Sequence, residues 1–181
     1  MKKKILALSG STRSNSANVQ LLHFISGFSE EKLEIEIDHS IAELPFFIPD
    51  AQELPSSVLQ FLNKIKAADG VMICTPEYVF SIPGMLKNAL EWTVASAAFS
   101  GKPVALITAS SLGEIAHESL ALIMKTIEAE FTNETSVLIQ GIRGKISKEG
   151  IVSDEETIKR IKKMLDAFIA QIDLKQKSLH L

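Results

Sequence analysis

Leu8-Ser9-Gly10-Ser11-Thr12-Arg13-Ser14-Asn15-Ser16-Ala17-Asn18 joins an apolar run, Ile5-Leu6-Ala7-Leu8, to a segment carrying Leu21, Leu22, Ile25 and Phe28. A continuous apolar run of that length suits a strand covered on both faces. The second set is spaced to form one buried stripe on a helix. Between them, Ser11, Ser16 and Asn18 offer hydroxyl and amide donors and Arg13 offers a charged planar fork. The start of the helix adds unpaired backbone N–H groups at its positive end. Together these parts predict a pocket for one phosphate monoester. The plainer reading is that Ser16 only caps the helix and that Arg13 is a solvated charge.

Outward from this loop, apolar strand-like runs alternate with amphipathic helical stretches, the pattern of a parallel sheet wrapped by helices. Five strand and helix repeats can be counted. The second strand, Leu33-Glu34-Ile35-Glu36-Ile37-Asp38, alternates apolar and acidic residues, which marks an edge strand with one wet face. The third (Val71 to Thr75), fourth (Val104 to Thr108) and fifth (Val137 to Ile139) are mostly apolar, as central strands should be. An edge second strand fits an α/β, doubly wound five-stranded parallel sheet of order 2-1-3-4-5 with helices on both faces.

Helical stripes are predicted from Val58, Phe61, Leu62 and Ile65, from Met85, Ala89 and Trp92, and from Ile123 and Ile127. Ser153 and Glu156 have capping-box spacing ahead of Ile158, Ile161, Leu165, Phe168, Ile169 and Ile172. One domain over residues 1–174 is expected, with residues 175–181 frayed.

Composition narrows the function. The 22 acidic and 19 basic residues give a net charge of −3 and are spread along the chain, so no broad basic field is available for nucleic acid. Three lysines follow Met1, but the apolar segment behind them ends at Ser9-Gly10, too soon for a signal-peptide core or a membrane span. A soluble cytoplasmic protein is expected. Cys74 is the single cysteine, which excludes an intrachain disulfide and any cysteine-clustered metal site. Its apolar neighbours make it a small buried hydrophobe.

In a doubly wound sheet, ligands bind at the carboxyl ends of the strands where strand order reverses, here between strands one and three. The loop after strand three is Thr75-Pro76-Glu77-Tyr78-Val79-Phe80-Ser81-Ile82-Pro83-Gly84. Two prolines stiffen it around a Tyr-Val-Phe run, and a rigid rim with flat apolar groups suits a planar ring.

Gly10-Ser11-x-Arg13-x-x-Ser16-x-Asn18, followed by Pro76-Glu77-Tyr78-x-x-Ser81-Ile82-Pro83-Gly84-x-Leu86-Lys87-Asn88-Ala89-x-x-Trp92, resembles the NADPH-dependent FMN reductase family. Those flavodoxin-like enzymes include quinone, azo-dye and chromate reductases. Lys148-Glu149-Gly150 ahead of Asp154 extends the resemblance toward the end of the chain. It implies that Ser11, Arg13, Ser16 and Asn18 hold the FMN phosphate. It further implies that Pro76, Glu77, Tyr78 and Val79 line the flavin ring largely through backbone groups, and that Ser110 and Gly113 close its far side. NADPH or NADH is the implied hydride donor, and a small molecule (quinone, azo compound, free flavin or metal oxyanion) the implied acceptor. Alternate occupation of one rim predicts a ping-pong mechanism. The resemblance also implies a homodimer or homotetramer, with Tyr78, Phe80, Met85 and Trp92 as an apolar interface. The chain departs from the family at Val79, where Asn is usual, and at Ile115-Ala116, where paired glycines are usual. The first departure removes an amide contact; the second narrows the space over the ring.

Other chemistries fit less well. The serines of the first loop lack the Gly-x-Ser-x-Gly elbow of a hydrolase, and the loop has neither a Gly-x-Gly-x-x-Gly fingerprint nor a Gly-Lys-Ser ending. His23, His39, His117 and His180 share no spacing, so surface or helix-end roles are expected for them. Glu77 is not needed as a base in flavin hydride transfer. Two other functions share the same pocket: a flavodoxin-type electron carrier without NAD(P)H activity, and a flavin-free binder of a phosphorylated metabolite. A carrier would be strongly acidic for docking, whereas this chain is near neutral.

Overall fold

The computed structural model describes residues 2–11, 13, 16–147 and 149–178. Strands β1 (Lys3–Ser9), β2 (Leu33–Asp38), β3 (Gly70–Thr75), β4 (Val104–Ser110) and β5 (Ser136–Gln140) alternate with helices α1 (Ala17–Phe28), α2 (Ser56–Ala67), α3 (Gly84–Trp92), α4 (Glu114–Thr126) and α5 (Glu155–Ser178). Every strand pairing is parallel, and the order is β2-β1-β3-β4-β5. Because successive residues of a strand face opposite sides, Leu6 and Leu8 join Val71, Ile73, Val104 and Leu106 under α2, α3 and α4. Ile5 and Ala7 join Met72, Cys74, Ala105 and Ile107 under α1 and α5. In β2, Glu34 and Glu36 are exposed while Leu33 is buried, as an edge position requires.

The register brings the loops that form the site to one height. Ser9 pairs with Cys74, and Thr75 with Thr108. The chain leaves β1 directly across the end of β3, with the Gly10 N–H donating to the Cys74 carbonyl at 2.8 Å. A Cβ at Gly10 would lie 2.3 Å from Thr75 Oγ1, so only glycine allows this crossing.

Several packing details differ from the sequence expectation. Phe28 is 47% exposed and stacks on Phe24, while Val19 completes the buried stripe of α1. On α3 the buried positions are Leu86, Ala89, Leu90 and Trp92, with Met85 only half-buried. On α4 they are Ala116, Leu120 and Met124, which leaves Ile123 and Ile127 at the margin. Helix α5 is capped by Asp154, which accepts the Thr157 N–H at 2.9 Å, and not by Ser153, whose N–H donates to the Lys145 carbonyl. In place of fraying from Lys175, α5 runs to Ser178. Lys175 pairs with Glu130 at 2.7 Å, and Gln176 bridges Lys3 and Asp69. Residues 179–181 lie outside the described residues.

Candidate functional site

Loops at the carboxyl ends of β1, β3, β4 and β5 wall one cavity of about 730 Å³. Ser11, Arg13, Ser16 and Asn18 line it from the first loop, Pro76, Glu77 and Tyr78 from the second, and Ser110 from the third. Val79 and Gly113, also expected there, are not in its wall. Thr12, Ser14 and Asn15 of the first loop lie outside the described residues.

The polar groups of the first loop divide between scaffold and free end. Ser9 Oγ accepts the Ser11 N–H at 3.2 Å, and Ser11 Oγ accepts the Arg13 N–H at 3.4 Å. Ser16 is the N-cap of α1, accepting the Val19 N–H at 3.1 Å, and its own hydroxyl proton has no acceptor among the described residues. Asn18, assigned to the phosphate by the family pattern, is 4% exposed and tied into the sheet. Its Nδ2 donates to the Ala109 carbonyl at 3.1 Å, and its Oδ1 accepts the Cys74 thiol proton at 3.2 Å. Burial pushes the Cys74 thiol well above its ordinary pKa, so it is inert. The Arg13 guanidinium forms no hydrogen bond or ion pair among the described residues. An exposed cation with no partner among the described residues, beside the N-terminus of α1, is open to an anion.

In the second loop, Tyr78 and Ser81 exchange backbone hydrogen bonds of 2.9 and 3.0 Å around Val79 and Phe80. Both central residues adopt left-handed backbone, with φ of 51° and 55°. This turn favours Gly or Asn, and a β-branched residue there is strained. The Val79 side chain is 96% exposed, so packing gives little in return. Val79→Asn should therefore raise stability by about 1 kcal/mol; an unchanged or lower urea midpoint would show that the turn is relaxed with valine.

In the third loop, Gly113 has φ of 101°, and a Cβ there would meet Leu138 Cδ1 at 2.9 Å. Ile115 is exposed and Ala116 is fully buried, and neither is in the cavity wall. His117 lies in the first turn of α4, as the helix-end expectation has it, but it is half-buried and held by two hydroxyls: Nδ1 meets Thr108 Oγ1 at 2.9 Å and Nε2 meets Ser136 Oγ at 3.1 Å. Burial, aided by the Arg160 charge, holds it below the usual imidazole range. Trp92, expected at a subunit interface, is 3% exposed. It donates to the Pro45 carbonyl at 2.9 Å and meets the Phe47 ring edge-on.

Arg143 and Ser147, from the loop after β5, also line the cavity and were missed from sequence. Their signal was position alone, since every loop at the carboxyl edge of the sheet faces the ligand crevice.

A five-stranded parallel sheet of order 2-1-3-4-5 with a cavity at the carboxyl ends of its strands defines a flavodoxin-like fold. The chain belongs to the NADPH-dependent FMN reductase family, which matches residues 3–142. It is 32% identical over 177 residues to a quinone reductase of Escherichia coli K12, covering 92% of this chain and 94% of that one. It is 34% identical over 185 residues to an NADH-dependent flavin reductase subunit of Lactobacillus johnsonii, covering 96% and 100%. Among solved structures it resembles FerB, an NAD(P)H:(acceptor) oxidoreductase of Paracoccus denitrificans. That match has a TM-score of 0.79 and 27% identity and covers 94% of this chain and 97% of FerB. FMN is the cofactor and NAD(P)H the donor of this family. Among the described residues, no helix is long and apolar enough to cross a membrane.

Proposed function

We propose that the chain is an FMN-dependent NAD(P)H oxidoreductase that passes electrons to a small acceptor, with donor and acceptor using one site in turn. The observation that carries this reading is the convergence of Ser11, Arg13 and Ser16 with Pro76, Glu77, Tyr78 and Ser110 on one cavity. The residues suit FMN, because Arg13, whose guanidinium has no partner among the described residues, and the N-terminus of α1 match one phosphate at one end. At the other end, Pro76 to Tyr78 and Ser110 present a flat rim. FMN when bound supplies the hydride and electron chemistry. The protein's part is to bind and orient: Arg13 and the hydroxyls of Ser11 and Ser16 hold the phosphate, while the two prolines keep the rim rigid. No side chain has to move a proton. His117 has both ring nitrogens engaged by hydroxyls, and Cys74 is buried. Relatives named as a 2-hydroxy-1,4-benzoquinone reductase and a flavin reductase support quinones and free flavins as acceptors, with azo compounds and metal oxyanions as further candidates.

The rim has room for one planar ligand at a time, so the oxidised donor leaves before the acceptor enters. Initial-rate plots against both substrates are then expected to be parallel; intersecting lines would mean a ternary complex. Anaerobic addition of NADPH should bleach the bound flavin, and no bleaching would favour the carrier reading. We also propose a cytoplasmic homo-oligomer. The exposed run Tyr78, Val79 and Phe80 beside the cavity supports a subunit contact there. The apolar run behind the N-terminal lysines forms central strand β1. Light scattering reads the assembly directly, and a monomer at micromolar concentration would refute it.

A further inference from the structure

We infer that Glu77 is a positioning residue: its carboxylate caps helix α4 from the neighbouring loop and so holds the two walls of the ring cleft together. This rests on the reading that the flavin ring lies between the loops after β3 and β4. The need for the cap arises at Gly113, the residue before α4, which has no side chain to accept the first N–H groups of the helix. No side chain is accommodated there. Its φ is 101°, and a Cβ would press on Leu138 at 2.9 Å and on Thr108 at 3.2 Å. The acceptor must therefore come from another part of the chain.

Glu77 supplies it from 39 positions away, Oε2 accepting the Ala116 N–H at 3.0 Å. Ala116 is fully buried, so this N–H has no easy substitute in water. A carboxylate at a helix N-terminus also meets the positive end of the helix dipole. The same residue makes a second tie, its own N–H donating to Ser110 Oγ at 3.2 Å. Main chain and side chain of one residue thus clamp the loop after β3 onto both the end of β4 and the start of α4.

The test compares wild type, Glu77→Ala and Glu77→Gln in two measurements. Amide hydrogen exchange at Ala116 is followed in flavin-free protein, and dissociation constants are measured for FMN and riboflavin. Loss of a charge-assisted hydrogen bond in Glu77→Ala should speed exchange at Ala116 by at least roughly tenfold and weaken both flavins by the same factor, also about tenfold. Glu77→Gln keeps an acceptor oxygen and should recover most of both effects. Three results overturn the inference: faster exchange with unchanged flavin affinity, a loss confined to FMN, or a glutamine variant as impaired as alanine. A wild-type protein that binds neither flavin overturns the cleft reading and the positioning role with it. Exchange at Ala116 would still report the cap by itself, so the two failures are told apart.

Discussion

Arg13→Ala should weaken FMN binding by about 1.5–3 kcal/mol and leave riboflavin binding nearly unchanged, the scale of a hydrogen bond to a charged group. The guanidinium has no partner among the described residues, so its removal orphans no buried group and the loop keeps its scaffold. That scaffold is the chain of contacts from Ser9 through Ser11 to the backbone of residue 13, none of which uses the arginine side chain. The N-terminus of α1 and the serine hydroxyls remain, so binding is weakened and not abolished. Riboflavin is the control because it carries the same ring and ribityl chain without the phosphate. Titration of the flavin-free protein by fluorescence quenching measures both. Equal losses for the two ligands would mean that Arg13 supports the loop itself, and the phosphate assignment would fall.

Phe168→Ala should cost about 3–5 kcal/mol of folding stability, the usual range for emptying a buried aromatic site, while leaving FMN affinity of the folded protein unchanged. Phe168 is fully buried between α5 and the sheet. Gly70, at the start of β3, makes room for the ring: a Cβ there would lie 2.7 Å from Phe168 Cζ. The surroundings therefore already fit closely on one side, and the strand backbone cannot collapse into the space left behind. β3 runs from Gly70 toward Thr75, so the cavity would open at the end of the strand remote from the flavin loops. Urea unfolding should be measured without flavin, since a ligand bound only to the native state adds its own stability. A loss below 1 kcal/mol would show that the site relaxes. A large loss of FMN affinity in the folded variant would show that the two ends of β3 are coupled.

Both predictions draw on features visible in the sequence, but to different degrees. The apolar run Ile5 to Leu8 and the repeat in α5 follow from burial on fixed periods, so strands and helices could be read without knowing their neighbours. The acidic alternation in Leu33 to Asp38 placed β2 at the edge, in keeping with the order found, whereas β5, read as central from its apolar residues, is the other edge. Helix faces were read less well. Met85 and Ile123 are apolar at acceptable spacing, yet the stripe that meets the sheet is rotated by about one residue on each helix. That rotation is set by how the helix docks. Phe28 lies at the helix end, beyond the covering elements, where an aromatic can stay exposed by stacking on Phe24.

The sequence by itself determined the doubly wound sheet, the loops that meet at its carboxyl edge and the family motif. Each of these depends on local chemistry: period of burial, glycine and proline placement, and donors clustered within a few positions. Only the tertiary structure decided what the polar side chains in those loops are bound to. Asn18, which carries the residue type of a phosphate ligand and lines the cavity, is also tied to Ala109 and Cys74, and Glu77 looks like a base but caps α4. His117 is held between β4 and β5, and Arg143 enters the cavity from a loop with no motif of its own. The physical reason is that a buried or half-buried polar atom takes whichever donor or acceptor the packing of distant segments brings within about 3 Å. Apart from Thr108, nine positions from His117, these partners lie from 19 to 91 positions apart along the chain, and that distance has no periodicity to read.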